Sequence, residues 1–269
     1  MPWMDANGIS IHYQLAGNGP SVVLLHEMGG TLDSWDGIFP TLSARFRTLR
    51  YDQRGSGLTE KVRQPITTEL LVEDLAAVLQ QCALPPPYSF VTVAAATMQA
   101  LIYMTRHPDR IASFVFCNPF TGADPSRVAT LNERAALAER EGLRAAIPNT
   151  LDNSWPSDIG DRTAYATYRG RYMAHDPVCF AALNRSIAQP NVTSLGKDIS
   201  KPTMVVAGRF DKVRPPAMSE QFAKTIPGAR FELIDAVHMM PAQAPGPLLA
   251  LLEDFLGAQA ASLAQQRAR

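Results

Sequence analysis

Short apolar runs alternate with longer amphipathic stretches along most of the chain. Six runs of six to eight residues are rich in apolar and β-branched residues, which predicts buried strands. They cover residues 21–26, 46–52, 88–94, 111–118, 201–208 and 229–235. Helical patterns cover residues 68–82, 97–107, 216–225 and 246–265. This alternation predicts an α/β fold, with a mostly parallel, twisted sheet and helices on both of its faces.

Residues 122–190 break the alternation. Two segments, "PSRVATLNERAALAEREGLRAAI" and "DRTAYATYRGRYMAHDPVCFAALNRSI", have helical patterns, and no strand pattern intervenes. We therefore predict a core formed by residues 1–121 and 191–269, with residues 122–190 inserted as a helical cap over the carboxyl ends of the strands. The opening segment "MDANGISIHYQLAG" predicts an antiparallel strand pair ahead of the parallel strands.

Composition narrows the classes of partner and location. Hydrophobic residues form 46% of the 269 residues, enough for a large core, and 25 basic residues balance 25 acidic ones. This balance gives no reason to expect nucleic acid or an anionic membrane as a partner. The start of the chain has no basic segment followed by an apolar run, as a secretory leader would, so we expect a cytoplasmic protein. The three cysteines are scattered along the chain, which favours reduced thiols over disulfides or a metal site. We expect no metal and no cofactor. Self-association as a homodimer is possible.

The segment "LLHEMGG" (residues 24–30) runs from a strand into a His-x-x-Gly-Gly loop. Gly29 and Gly30 permit positive φ and a close approach of backbone N–H groups to a ligand. The loop around His26 and Met28 is therefore either a donor site for an oxyanion or an ordinary glycine turn.

A second loop, "RYDQRGSGLTEK" (residues 50–61), has an Asp-x-Arg-Gly-x-Gly pattern after a strand. The glycines turn the chain, and the charged side chains of Asp52 and Arg54 are placed to tie neighbouring loops together. We predict that this loop belongs to the scaffold.

Three further segments follow in a fixed order. "YSFVTVAAATMQALIYM" (residues 88–104) reads as a strand, a sharp turn with three alanines, and a helix. "VVAGRFDKVRPP" places Asp211 just past a buried strand, and "LIDAVHMMPAQAP" places His238 just past the last one. With "YDQRG", these segments resemble the α/β-hydrolase superfamily over nearly the whole chain, in particular the branch of 3-oxoadipate enol-lactonases and aminoacrylate hydrolases. The resemblance implies an α/β-hydrolase fold in which Asp211 orients His238 as a general base.

The family keeps its nucleophile at the centre of a Gly-x-Ser-x-Gly turn. The residues two before and two after it must be small, because the strand and the helix pass close together there. With Ala94 at the centre, the flanking residues are Thr92 and Ala96, which fit. With Ala96 at the centre Met98 would clash, and with Ala95 both flanking residues are β-branched. We therefore assign the nucleophile position to Ala94 and regard it as vacant, since alanine cannot attack a substrate.

Three other groups are candidates for contact with a substrate. The backbone N–H of Ala95 and those of the loop at residues 27–28 are expected oxyanion donors. Glu27 stands where the family commonly has glycine. Pointing inward it would act as a second acid or base or repel an anionic group, and pointing outward it would be a solvated loop residue. Arg209, Lys212 and Arg214 flank Asp211, and each of them either binds a substrate carboxylate or faces solvent.

A His–Asp pair beside a small cavity can activate water without a nucleophile. We therefore expect a cofactor-free hydrolase of a small, carboxylated catabolic intermediate, such as an enol-lactone or an aminoacrylate-like enamine. A lyase that uses the same histidine as a base is an alternative. So are a non-catalytic ligand-binding protein and a serine hydrolase whose nucleophile has been replaced by engineering. The aminoacrylate hydrolases also carry alanine at this turn, which is a natural precedent for catalysis without the serine.

Overall fold

The computed structural model describes residues 2–267. The strands are β1 (Trp3–Ala6), β2 (Ile9–Ala16), β3 (Ser21–Leu25), β4 (Arg47–Tyr51), β5 (Tyr88–Val93), β6 (Ile111–Cys117), β7 (Thr203–Gly208) and β8 (Arg230–Ile234). The helices are α1 (Phe39–Ser43), α2 (Thr68–Gln81), α3 (Ala96–Arg106), α4 (Pro125–Glu141), α5 (Leu143–Ala146), α6 (Leu151–Ser154), α7 (Arg162–Met173), α8 (Pro177–Ser186), α9 (Pro216–Thr225), α10 (Met240–Gln243) and α11 (Pro245–Arg267). The six predicted parallel strands and the four predicted core helices are present, with ends that differ by no more than two residues.

The strands form one sheet in the order β1-β2-β4-β3-β5-β6-β7-β8. The pairs β1–β2 and β2–β4 are antiparallel, and the remaining pairs are parallel. Each parallel strand therefore ends at the same edge of the sheet. The segments after β3, β5, β7 and β8, which carry every predicted catalytic group, meet along that edge.

Both faces of the sheet are buried, as the continuous apolar strands predicted. On β3, Val23 packs with the core formed by α2, α3 and α9, whereas the adjacent Val22 packs with α1 and α11 on the other face. Neighbouring side chains of a strand point to opposite faces, so a strand that is buried on both faces must be apolar at every position. The α/β fold and its mostly parallel sheet are thereby confirmed.

The segment predicted as a cap, residues 122–190, contains helices α4 to α8 and no strand. The first predicted helical stretch is broken at Gly142, where φ is +81°, a conformation that a residue with a side chain rarely adopts. A separate apolar cluster joins these helices to the core: Trp155, Tyr168 and Tyr172 pack with Val237 and Met239. Because Val237 and Met239 flank His238, this packing places the helical segment directly over the end of β8.

Helix α11 is the longest helix, with 23 residues, and extends the predicted one at both ends. Leu248 and Leu252 on this helix are fully buried against the second face of the sheet. Across residues 2–267, no helix combines the length and the apolar character that crossing a bilayer requires.

Candidate active site

The turn between β5 and α3 holds Ala94 in an unusual backbone conformation. Its φ is +50°, whereas the next residue, Ala95, has an ordinary φ of −65°. A residue with a side chain pays on the order of 1 kcal/mol for this conformation, so the surrounding structure must hold it. The Ala94 N–H donates to the Cys117 carbonyl, and its carbonyl accepts from the N–H groups of Thr97 and Phe120. The strained position of the turn therefore coincides with the residue that the small-neighbour rule selected.

His238 and Asp211 form a hydrogen-bonded pair across the loops after β8 and β7. The Nδ1 of His238 lies 2.6 Å from Oδ2 of Asp211. The other carboxylate oxygen accepts from the N–H groups of Val213 and Arg214, both at 2.8 Å, which fixes its orientation. Since a carboxylate only accepts, Nδ1 carries the proton and Nε2 is the basic nitrogen.

Asn118, at the end of β6, ties these two loops together. Its φ is +46°, and its Nδ2 donates to the carbonyls of Val237 and His238, both at 3.2 Å. Its Oδ1 accepts from the Gly208 N–H at the end of β7. Asn118 thus sets the distance between the two strand ends that carry the His–Asp pair. Asparagine tolerates positive φ better than most residues, which was a hint of this role.

A cavity of about 40 Å³ lies between the strand ends and the overlying helices. Such a space holds a few water molecules. Its lining residues are Glu27, Met28, Ala94, Ala95, Phe120, Arg127, Arg134, Thr150, Ser154, Tyr172, Ile187, Val213, Arg214, His238 and Met239. Ala94 and His238 therefore face the same enclosed space.

Glu27 points inward and is only 1% exposed. Its Oε1 accepts from the hydroxyls of Ser34 at 2.8 Å and Tyr168 at 2.7 Å. Burial raises the pKa of Tyr168, and the Glu27 carboxylate raises it further, so this hydroxyl remains a donor. The second oxygen, Oε2, is buried and has no hydrogen-bond partner among the described residues. A side chain at Gly30 would overlap the Glu27 carboxylate, which explains the glycine at that position.

Two backbone donors complete the lining. Met28 and Ala95 both border the cavity. Neither of their N–H groups takes part in a hydrogen bond within residues 2–267. Free backbone N–H groups are the donors that an oxyanion hole uses, so Met28 and Ala95 remain candidates for that role.

The model of the alpha/beta hydrolase fold family matches residues 20–245. The chain belongs to this family. It is similar to 3-oxoadipate enol-lactonase 1 of Acinetobacter baylyi, with 25% identity over 94% of this chain and 95% of that protein. It is also similar to RutD of Azorhizobium caulinodans, a protein named for carbamate hydrolysis, with 27% identity over 96% and 98% of the two chains. Among solved structures, the enol-lactonase of Burkholderia xenovorans superposes with a TM-score of 0.88 and 27% identity, covering 95% of this chain and all of the other.

His26 and Gly29, which were expected to contact the substrate, do not border the cavity. His26 is buried: its Nδ1 donates to the Glu27 carbonyl, and its Nε2 accepts from the Gln53 N–H. The Gly29 carbonyl accepts a hydrogen bond from Nε2 of His175 at 3.0 Å, and Tyr172 packs against its Cα. Both residues form hydrogen bonds with other parts of the protein and lie outside the lining of the cavity.

Arg209 is also displaced from its expected place. Its side chain is 52% exposed and its Nε lies 2.6 Å from the Asp235 carboxylate. The backbone reverses after β7, so Arg209 points to solvent while Asp211 and Arg214 turn inward. Arg209 therefore faces solvent, the second of its two alternatives, and it does not border the cavity.

Sequence reasoning missed two cationic residues of the cavity, Arg127 and Arg134, both on α4. They are seven residues apart, which places them on one face of a helix. That spacing was a visible signal, but only the packing of α4 over the strand ends shows that the face points inward.

Proposed function

We propose that this protein is a cofactor-free hydrolase of a small, carboxylated intermediate, in which His238 and Asp211 activate water and no acyl-enzyme forms. The observation that carries the proposal is the contact between His238 and Asp211 in a cavity whose nucleophile position is the methyl group of Ala94. A buried pair of this kind supplies a base, whereas alanine supplies no group for covalent attack.

The chemistry needs three groups that border the cavity. His238 Nε2 removes a proton from water while Asp211 stabilises the resulting imidazolium. The hydroxide attacks the acyl carbon, and the N–H groups of Met28 and Ala95 donate hydrogen bonds to the developing oxyanion. When the intermediate collapses, the imidazolium returns its proton to the leaving oxygen or nitrogen. The products are a carboxylic acid and an enol, or an acid and an amine.

Similarity to the enol-lactonases supports this class of substrate, because leaving groups of the enol type need little more than a proton. Glu27 adds a second polar group to the site. Its free Oε2 either exchanges a proton with substrate or turns an anionic group of the substrate away from that end of the cavity.

A lyase that uses His238 as a base is the second candidate, and the buried carboxylate of Glu27 favours it by offering a partner acid. Turnover in water enriched in ¹⁸O separates the two reactions. Hydrolysis places one labelled oxygen in the product acid, whereas bond cleavage by a lyase places none.

A first test is a screen of small enol-lactones, enamines and β-dicarbonyl acids against the protein and its His238→Ala variant. We expect kcat to fall by roughly 10²–10⁴, the usual contribution of a general base. Turnover that survives the substitution would rule out the His–Asp mechanism. Absence of turnover by the unaltered protein across the whole screen would favour a ligand-binding role.

A further inference from the structure

A second, smaller cavity adjoins the one that contains His238. It measures about 20 Å³, and the two cavities share four lining residues: Glu27, Met28, Ala95 and Ile187. A space of this size admits about one water molecule, provided that the water finds roughly two to four polar partners. The polar groups in its lining therefore decide what this cavity binds.

Three side chains in this lining have a buried oxygen atom with no hydrogen-bond partner within residues 2–267. These atoms are Oε2 of Glu27, Oγ of Ser56 and Oε1 of Gln99. The three residues are at most 3% exposed, and they come from the loop after β3, the loop after β4 and helix α3. A buried polar atom without a partner is costly, so three such atoms around one cavity indicate a polar ligand inside it.

The hydrogen bonds around Gln99 determine which of its amide atoms is free. Gln53 Nε2 donates to the His26 carbonyl at 2.6 Å, which leaves Oε1 of Gln53 as an acceptor. Gln99 Nε2 donates to that oxygen, also at 2.6 Å. Turning the Gln99 amide over would bring two oxygens together, so its Oε1 is the atom without a partner. Gln53 and Ser56 are the two variable positions of the Asp-x-Arg-Gly-x-Gly loop, so this scaffold loop also shapes the second cavity.

The chemistry of the three oxygens matches a single water molecule. An amide oxygen and a carboxylate oxygen only accept, so Gln99 Oε1 and Glu27 Oε2 both need a donor. The Ser56 hydroxyl can donate, and it needs an acceptor. Water has two protons for the two acceptors and a lone pair for the hydroxyl, so one molecule meets all three requirements.

We propose that the second cavity holds one resident water molecule, bonded to Gln99, Ser56 and Glu27, and that this water positions the Glu27 carboxylate. The hydroxyls of Ser34 and Tyr168 already hold Oε1 of Glu27, at 2.8 and 2.7 Å. With the water on Oε2, both carboxylate oxygens are fixed, and the group keeps one orientation beside the main cavity. Gln99 and Ser56 do not line the main cavity, so they act on it only through the water.

A crystal structure of the unaltered chain, at a resolution that shows ordered water, tests the site directly. We expect one water within hydrogen-bond distance, about 2.5–3.0 Å, of Gln99 Oε1, Ser56 Oγ and Glu27 Oε2. An empty cavity in a map that shows other buried waters would overturn the proposal. So would a metal ion in the cavity, which its shorter contacts would reveal.

The variants Ser56→Ala and Gln99→Met each remove one partner of the water. Each should lower Tm by about 2–8 °C, the effect of a lost buried hydrogen bond in a chain of this size. Because both act through one water, the Tm of the double variant should lie within about 2 °C of the lower single variant. Ser113→Ala is the control, since the Ser113 hydroxyl donates to Ser89 outside both cavities, and its effect should add to that of Gln99→Met. Additive effects of Ser56→Ala and Gln99→Met would overturn the proposal.

The positioning of Glu27 has a kinetic readout, which rests on the proposed function. Well below Tm, we expect Gln99→Met to lower kcat about tenfold, because the carboxylate beside the substrate loses its fixed orientation. Adding Ser56→Ala should lower kcat no further, and Ser113→Ala should leave it unchanged. An unchanged kcat in Gln99→Met would overturn the positioning role. The crystal structure and the Tm values need no turnover, so failure of the hydrolase mechanism would leave them intact, and loss of the water site would leave the His238 test intact.

Discussion

Two buried His–Asp pairs in this molecule have nearly the same geometry. The Nδ1 of His238 lies 2.6 Å from Oδ2 of Asp211, and the Nδ1 of His12 lies 2.7 Å from Oδ2 of Asp52. In both pairs the histidine is less than a tenth exposed and the carboxylate accepts two backbone N–H groups. Contact between the two side chains therefore does not distinguish a catalytic pair from a structural one.

The two pairs differ in the surroundings of Nε2, the second ring nitrogen of each histidine. His238 borders the cavity that contains Ala94. The Nε2 of His12 is instead buried with no partner in the described part of the chain, and its ring packs against Trp3 with centroids 4.9 Å apart. A general base must reach its substrate, so only the first pair is in a position to act on a ligand.

The two carboxylates differ in the same way, one serving the scaffold and the other the cavity. Asp52 joins His12 on β2 to the N–H groups of Leu32 and Leu58, so it fastens three segments of the scaffold. Burial would raise the pKa of Asp52, but the proximity of His26 and these hydrogen bonds lower it below the usual value. Asp52 is therefore held as an anion for stability, without contact with the cavity.

The largest expected effect comes from replacing the two carboxylates in turn. In Asp211→Asn the amide oxygen still accepts from Val213 and Arg214, but the amide nitrogen donates to His238 Nδ1 and forces the ring proton onto Nε2. We expect kcat to fall by roughly 10³–10⁴, or about 4–5.5 kcal/mol in the barrier, with the protein still folded. Steady-state kinetics and thermal unfolding measure the two quantities.

Asp52→Asn is the matched control. Its amide nitrogen must face a backbone N–H group, so a buried donor loses its acceptor, and we expect about 2–4 kcal/mol less unfolding free energy. The kcat of the folded fraction should stay unchanged. A large loss of kcat in this variant, or of stability alone in Asp211→Asn, would reverse the two roles.

The fold and the pair at the site were accessible from the sequence for a common reason. Strand periodicity fixed which residues end each strand, and parallel strands bring those ends to one edge, so Asp211 and His238 had to be near the turn at Ala94. The small-neighbour rule selected Ala94 because the close approach of β5 and α3 is a local steric fact. The prediction of the site therefore depended on residues adjacent in sequence and on where the strands end.

Side-chain direction and the inserted helices were not accessible. Arg209 lies two residues before Asp211 and Arg214 three residues after it, yet the first pairs with Asp235 in solvent and the second enters the cavity. Which of them enters depends on how the loop after β7 reverses. Arg127 and Arg134 depend on the docking of α4, which has no local signature in the chain.

A third buried histidine extends the comparison to a ring without a carboxylate partner. Within residues 2–267 the His175 ring makes one hydrogen bond, to the Gly29 carbonyl, and burial, with a contribution from His26, lowers its pKa to about 4. Its folded pKa lies below the unfolded value near 6.5, so the unfolded chain binds the proton more readily. The neutral, buried state of His175 therefore contributes to the unfolding free energy above pH 6.5. This contribution is lost as the pH falls toward 4, by at most about 3 kcal/mol.

Chemical denaturation of the His175→Gln variant from pH 7 to 4 measures this pH-dependent contribution to the unfolding free energy. Glutamine can still donate to Gly29 but does not titrate, so the variant should lose less unfolding free energy on acidification than the unaltered protein. His107→Gln, at the half-buried end of α3, is the control and should keep the original pH slope. Parallel pH profiles for His175→Gln and the unaltered protein would show that His175 is not a buried neutral group.

The smallest expected change in rate, and the sharpest test of the comparison, comes from Ala94→Ser. If His238 acts on water, the new hydroxyl occupies the place of that water, and hydrolysis should fall about tenfold. The same hydroxyl next to a basic imidazole becomes a nucleophile, so a serine-reactive phosphonate should label the variant and leave the unaltered chain unlabelled. Ala96→Ser, on α3 beyond the turn, should not react, because its side chain is buried outside the cavity. Labelling of the unaltered chain would refute hydrolysis without an acyl-enzyme, and labelling of Ala96→Ser but not Ala94→Ser would move the nucleophile position along the turn.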